Sequence, residues 1–240
     1  MKRIAVVTLA LALCWGRSAV AAPANCTGLP TEAELRAAMI AAQAATTAGG
    51  LFNGALMWGA TVNRDGEICS YVTTTADPTQ VWPGSEAIAK AKAFTANAFS
   101  LDTFALSTAR LYTFTQPGHS LWSLGQSNLW NPAVTAPPSG AGGGKGQIGG
   151  GLIFFGGGVP LYRNGNIIGG LGISGDTSCA DHEIAKETRD QLNLNPAGGK
   201  TADDIVYSPP GPPSVFAHPL CLNTFKNGAF VGNESGGTYP

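Results

Sequence analysis

The fold is decided by residues 149–185, which read GGGLIFFGGGVPLYRNGNIIGGLGISGDTSCADHEIA. The pair Asn164-Gly165 separates two apolar runs. Such a pair is the strongest short-range sign of a β-hairpin, because both central residues of the turn need positive φ. The segment predicts two short apolar strands, a tight turn, and a glycine-studded strand that runs into a helix.

Glycines leave the surface of that last strand bare at Gly170 and Gly172, so a helix, a second subunit or a flat ligand can approach the backbone closely. We expect a second subunit to cover the apolar neighbours of these glycines, which predicts a homo-oligomer. The glycine spacing does not indicate a nucleotide-binding loop, because the segment lacks the lysine of such a loop and follows a hairpin.

The remaining elements fit one layered domain. Thr31 and Glu34 form a capping box for a helix that runs to about residue 47. An Asp-Gly turn, Asp65-Gly66, predicts a second hairpin. An alanine-rich helix follows Pro83 and carries Lys90 and Lys92, of which at least one is expected to reach solvent. The fold class is therefore α+β, a mainly antiparallel sheet of about five strands flanked by helices.

The N-terminus has the charged, apolar and small-residue order of a secretory signal, with cleavage expected after Ala21. We divide the chain into a signal peptide at 1–21, a domain at 22–195 and a Pro/Gly-rich extension at 196–240. A Gly/Pro-rich insertion lies at about 132–151. The mature protein is predicted to be periplasmic or secreted, with no membrane span.

The charge balance argues against nucleic acid as a partner, and the cysteine content indicates disulfides. The chain has 14 basic and 15 acidic residues, and loss of the three basic residues of the signal leaves 11 against 15. Nucleic acid is therefore not an expected partner. Four cysteines remain after cleavage, and in an oxidising compartment they predict two disulfides. Three pairings are possible, and we favour Cys26 with Cys69 and Cys179 with Cys221, because each fastens a terminal segment.

The three histidines are the candidate metal ligands. His119 lies in a loop that carries Trp122 and Trp130, so an imidazole with flat apolar neighbours is available, and we predict it as the iron ligand. His182 shares a helical face with Cys179, and their spacing suits a metal site only if Cys179 is reduced. If Cys179 is in a disulfide, we expect His182 to be an ordinary surface or interface histidine. His218, in the extension, is expected to have no special role.

Two stretches carry a family resemblance: SEAIAKAKAFTA at 85–96 and GGVPLYRNGNIIGGLGISGDTSCADHEIA at 157–185. They resemble the GlcG and HbpS-type heme-binding family, which includes the C-terminal domain of PduO-type proteins, over roughly residues 29–194. The resemblance implies a profilin-like layered domain, a higher homo-oligomer and heme as cofactor, with heme degradation claimed for some members. Matching the motifs places Lys92 at the family's lysine and Asp181 at its acidic position, so both are pocket candidates.

Three functional hypotheses follow. The first is an exported heme-binding protein acting in heme sequestration, sensing or degradation, whose pocket uses His119, Lys92, Asp181, His182 and the bare strand at Gly170 and Gly172. The second is an enzyme for a small organic acid, in which Lys92 holds a carboxylate and Asp181 or His182 moves a proton. The third is a non-catalytic oligomeric binding or structural module.

Overall fold

A four-stranded antiparallel sheet organises the computed structural model, which describes residues 25–135 and 143–235. The predicted signal peptide and part of the predicted insertion lie outside these residues. The strands are β1 (Trp58–Asn63), β2 (Ile68–Thr73), β3 (Gly158–Arg163) and β4 (Asn166–Ser174), in the order β2-β1-β4-β3. Both predicted hairpins form, β1 with β2 and β3 with β4.

Helices cover both faces of this sheet. The five α-helices of the described ranges are α1 (Glu32–Ala45), α2 (Gly84–Ala98), α3 (Leu124–Ser127), α4 (Pro132–Thr135) and α5 (Ser178–Gln191). Leu171 and Ile173 of β4 point into a core with α1 and α5, whereas the alternate positions of β4 face α2. The arrangement is a layered α+β domain, as the sequence predicts. No helix of the described chain is both long enough and apolar enough to cross a membrane.

The sheet has four strands, where about five were expected. The apolar run at residues 152–155, just before β3, forms no strand. Gly150 and Gly151 precede them with φ of +65° and +79°, which takes the chain out of the extended conformation after the single bridge between Gly150 and Trp130. The backbone of this segment bonds side chains instead: Ile153 N donates to Thr95 Oγ1, at 2.9 Å.

The bare surface of β4 is covered by the chain's own helix α2. A Cβ added to Gly172 would lie 1.9 Å from Ala89 O, and one added to Gly170 would lie 2.1 Å from Ala93 O. The glycines therefore let a helix backbone lie directly on a strand. A second subunit therefore does not cover this strand, contrary to the expectation from the sequence.

The C-terminal extension packs on α5 and forms two small strand pairs. β5 (Val206–Tyr207) pairs in parallel with β6 (Ala217–His218), and β7 (Thr224–Lys226) pairs with β8 (Ala229–Gly232). The favoured disulfide pairing is confirmed. Cys26 is bonded to Cys69 of β2, and Cys179 at the start of α5 is bonded to Cys221 in the extension.

The contact between α2 and β4 predicts an unequal response to the same substitution at two glycines. Gly172→Ala should lower the free energy of unfolding by about 3 kcal/mol or more, because its methyl group meets backbone that cannot move aside locally. Gly84→Ala, in the first turn of α2 with open space around it, should be neutral or stabilising. Urea unfolding of both variants checks this, and an equal change in the two would contradict the packing account.

Candidate functional site

A buried ion pair joins α2 to α5 at the centre of the domain. Lys92 Nζ lies 2.6 Å from Asp181 Oδ2 and donates to Ile173 O at 3.0 Å. Asp181 Oδ1 accepts from the backbone N–H of Asp176 at 2.9 Å. The structure thus brings together the two residues that the resemblance marks as pocket candidates.

Both lysines of α2 are buried, against the expectation that at least one reaches solvent. Lys92 is 0% exposed and Lys90 is 1% exposed. Lys90 Nζ contacts Glu86 Oε1 at 2.7 Å and lies over the Tyr71 ring. A buried ammonium is tolerated where it is paired and hydrogen-bonded, which both lysines are.

Burial governs the ionisation of the central pair. It raises the pKa of the Asp181 carboxyl to about 6, a shift that the charge and hydrogen bond of Lys92 oppose. It also lowers the pKa of the Lys92 ammonium, against the attraction of Asp181. Lys92 and Asp181 are both buried, at 0% and 1% exposure, so in this structure their ion pair serves to hold α2 against α5.

Two glycines separate this pair from a surface cavity. Gly157 lies against Lys92 and Asp181, so closely that a Cβ there would come within 2.6 Å of Lys92 Nζ. Gly156 faces the opposite way, and its backbone N–H donates to His218 Nε2 at 3.3 Å. Phe155 touches both sides, since its ring centroid lies 5.0 Å from Lys92 Nζ and its side chain borders the cavity.

We call this space the tail cavity, because the C-terminal extension supplies five of its eight lining residues. Its volume is about 320 Å³, and an adjoining cavity of about 270 Å³ shares Pro219, Leu220 and Glu234 with it. The residues that line the tail cavity are Tyr112, Phe155, Ser178, His218, Pro219, Leu220, Cys221 and Glu234.

His218 is the histidine that the structure places in this cavity. Its Nδ1 lies 2.7 Å from Pro219 O, which can only accept, so Nδ1 carries the proton and Nε2 the lone pair. Nε2 lies 3.5 Å from Ser178 Oγ, on the cavity side. Burial lowers the pKa of His218 to about 4, partly offset by the hydrogen bond to Pro219, so the ring is neutral at neutral pH. The Tyr112 ring is tilted against it at 5.0 Å.

The other predicted site residues lie elsewhere. His182 is 0% exposed, not at a surface; its Nε2 accepts from Ile205 N at 3.1 Å and lies 3.4 Å from Asp204 Oδ1. His119 lies in an exposed turn and does not line the tail cavity. Gly170 and Gly172 contact α2 instead of a cavity. The roles predicted for these residues stay predictions.

His218 was not expected in the site, although one feature of the sequence pointed to it. Cys221 was paired with Cys179, which lies two residues before Asp181 in the chain. That pairing alone brings the tail to the start of α5, and with it the imidazole three residues before Cys221.

An antiparallel sheet between helices, with an imidazole in a partly aromatic cavity, defines an α+β protein suited to binding a small ligand. The chain belongs to the family described as haem degrading protein, HbpS-like, whose model matches residues 34–190, or 157 of 240 residues. A heme-related function at the family level follows from that membership. No curated protein sequence matches the chain.

Several solved structures are similar to the chain. The PduOC:heme complex has 24% identity and a TM-score of 0.48, over 68% of this chain and 92% of that one. Klebsiella pneumoniae protein ORFY has 21% identity and a TM-score of 0.47, over 68% and 88%. A double mutant of Streptomyces reticuli HbpS has 20% identity and a TM-score of 0.40, over 78% and 97%. At these values the similarity does not identify a ligand.

The lowered pKa of His218 predicts a pH dependence of stability. The folded chain protonates this ring near pH 4 and the unfolded chain near the ordinary value of 6.5, so the unfolded state binds more protons between the two. Neutral His218 therefore makes its full contribution to the free energy of unfolding above about pH 6.5. That contribution, about 3 kcal/mol, is lost as the pH falls through about 4.

Urea unfolding of the wild-type chain and of His218→Gln measures this contribution. From about pH 7 to about pH 4, the wild-type chain should lose about 3 kcal/mol more stability than the variant. Asp181, whose raised pKa acts in the opposite sense, is present in both proteins and cancels in the difference. A difference that does not change with pH would show that His218 titrates as in an unfolded chain.

Proposed function

We propose that this chain is an exported heme-binding protein in which His218 is the iron ligand, within the tail cavity. Heme supplies an iron that accepts an imidazole nitrogen and a flat macrocycle that packs on aromatic and apolar side chains. The observation that carries the proposal is the state of His218, a cavity-lining neutral ring with a fixed tautomer, whose Nε2 accepts one long hydrogen bond, from Gly156 N–H at 3.3 Å.

The side chains of the cavity fit this group. Histidines that bind metals almost always donate their other ring N–H to a carbonyl or carboxylate, as His218 does to Pro219 O. The N–H of Gly156 contacts Nε2 at 3.3 Å, which is long for a hydrogen bond and leaves the lone pair weakly held. Tyr112 and Phe155 supply aromatic surface.

The larger cavities do not offer this chemistry. One of about 520 Å³ lies between α1 and the end of α5, and one of about 680 Å³ lies beside Lys186 and Lys200. Neither is lined by any histidine, cysteine, methionine or tyrosine among the described residues, the side chains that hold heme iron. The tail cavity, at about 320 Å³, lies at the lower end of the range of about 300 to 1,000 Å³ that is usual for ligand pockets, and the neighbouring cavity of about 270 Å³ adjoins it.

Hemin titration of the purified, oxidised chain tests the proposal. We expect a Soret band that saturates at one hemin per chain, and His218→Ala should weaken binding at least about tenfold and shift the band. Free imidazole should restore the wild-type spectrum in this variant, because it fills the space that the side chain has left. Thermal unfolding of each variant shows that the fold is kept.

His119→Ala is the matched control, because it removes an exposed imidazole from the same chain. Its spectrum and affinity should equal those of the wild type. The reverse pattern, with only His119→Ala altered, would overturn the assignment to His218 and support the loop ligand predicted from the sequence. A spectrum indifferent to both substitutions would contradict histidine ligation by either residue.

The alternative enzyme for a small organic acid finds no support in the site. Lys92 Nζ is held by Asp181 and by Ile173 O, so a carboxylate substrate would have to displace Asp181 from a sealed position. His182, the second proposed proton carrier, hydrogen-bonds Ile205 N instead. A protein that shows no hemin saturation would leave the third hypothesis, a non-catalytic module.

Export and self-association belong to the proposal as well. Two disulfides favour an oxidising compartment such as the periplasm or the exterior. The homo-oligomer remains a prediction, and any subunit contact uses a surface other than the glycine face of β4, which α2 covers. Sedimentation velocity of the mature chain should give more than one chain per particle; a monomer at all concentrations would contradict it.

A further inference from the structure

The Cys179–Cys221 disulfide lies beside a histidine and a hydroxyl. Within the described ranges, the ligand atoms of Cys179, Cys221 and His218 all lie within 4.8 Å of one another. Ser178 Oγ lies 3.4 Å from Cys221 Sγ and 3.5 Å from His218 Nε2. Two sulfur atoms, one imidazole nitrogen and one hydroxyl therefore converge on a single point at the wall of the tail cavity.

We propose that reduction of the Cys179–Cys221 disulfide creates a site for a zinc-class divalent ion, bound by both thiolates and by His218 Nε2. Two sulfurs and one imidazole are a donor set that zinc prefers, and three protein ligands leave a fourth position open. Cys221 and His218 both line the tail cavity, so that position faces a space that water or a small ligand can enter.

The chemistry of the switch is a thiol–disulfide exchange. A dithiol reductant supplies two electrons and two protons, the sulfur–sulfur bond breaks, and the reductant leaves as its own disulfide. Each cysteine then loses its proton as it binds the metal ion, so two protons are released per ion bound. Neutral His218 binds through the lone pair that it already carries.

The position of the sulfurs favours their thiolate forms. Cys179 is the second residue of α5, a helix of 14 residues, and its backbone N–H donates to Cys221 Sγ at 3.2 Å. The positive end of a helix and a backbone donor both stabilise a thiolate. The hydrogen bond from His218 Nδ1 to Pro219 O orients the third ligand, as a second sphere does in zinc sites.

This inference goes beyond the proposed function and does not depend on it. The two proposals share His218, so a bound heme and a bound zinc-class ion exclude each other at Nε2. The cysteines separate them, because hemin binding through His218 uses neither cysteine as a ligand, whereas the metal site needs both thiolates.

Cobalt(II) is the probe, since it occupies zinc sites and its spectrum reports both geometry and thiolate ligation. The starting protein is the Cys26→Ala/Cys69→Ala chain, in which the remaining disulfide is the one under test. After reduction and anaerobic removal of the reductant, we expect one Co²⁺ per chain, with tetrahedral ligand-field bands and a thiolate-to-cobalt charge-transfer band. The oxidised sample should show neither band.

Two variants of that protein test the ligands. Cys179→Ser/Cys221→Ser should lose the charge-transfer band, and His218→Ala should weaken cobalt binding at least about tenfold. The same cysteine variant should still bind hemin, which distinguishes failure of this site from failure of the proposed function. Retention of the charge-transfer band without Cys179 and Cys221, or an unchanged affinity without His218, would overturn the proposal.

Alkylation of the reduced chain by iodoacetamide gives an independent readout. In the Cys26→Ala/Cys69→Ala protein, Zn²⁺ should slow the modification of both thiols at least about tenfold. In its His218→Ala derivative, Zn²⁺ should slow the same reaction by a smaller factor. Circular dichroism of the reduced protein shows the state of the fold. A reduced chain that stays unfolded with Zn²⁺ present, or thiols that react at the same rate with and without Zn²⁺, would also overturn the site.

Discussion

The direct contact between the backbone of α2 and the glycine face of β4 is the constraint on which the rest of the structure depends. At Gly170 and Gly172 no side chain separates the helix from the strand, and the carbonyls of Ala93 and Ala89 occupy the space that a methyl group would need. Because α2 lies so close to β4, the Lys92 side chain reaches the backbone oxygen of Ile173 in β4 and the carboxylate of Asp181 in α5. Packing of small residues thus sets the position of a buried charge.

The Lys92 ammonium in turn fixes the first turn of α5 through Asp181. The same turn holds the C-terminal extension through the Cys179–Cys221 disulfide. Asp181 accepts from Lys92 and from Asp176 N, while Cys179 bonds the tail. The tail then brings His218 beside Gly156, so the cavity is built jointly by the family domain and the extension. Neither the sheet nor the tail alone contains a complete ligand site, and the extension therefore belongs to the function that we propose.

Local signals predicted the parts of the fold that depend on neighbouring residues. The Asn164-Gly165 turn and the Thr31 capping box involve contacts within a few residues, and both formed as predicted. Burial of Lys92 could not be predicted in this way, since its partner Asp181 lies 89 residues further along the chain. The apolar run at residues 152–155 has the composition of a strand but forms none, because the glycines near its ends, Gly150, Gly151 and Gly157, take positive φ.

The histidines show the same limit. His119 was chosen for its loop and its tryptophan neighbours, which are properties of nearby sequence. The position of the His218 ring in the cavity is set by contacts with Gly156 and Ser178, which lie 62 and 40 residues away in the chain. In the sequence, only the predicted disulfide pairing linked the extension to this part of the domain. The extension thus carries the one imidazole that the described structure places beside both a cavity and a pair of sulfurs.

The central claim is that the Nε2 atom of His218 binds heme iron, and the most direct measurement is the hyperfine coupling between that iron and nitrogen. Pulsed paramagnetic resonance of the ferric hemin complex, prepared from chain labelled with ¹⁵N-histidine, detects a coordinated imidazole. The account predicts a strong ¹⁵N coupling in the wild type and in His119→Ala, and its loss in His218→Ala. A coupling that persists without His218, or that is absent from the wild type, would contradict it.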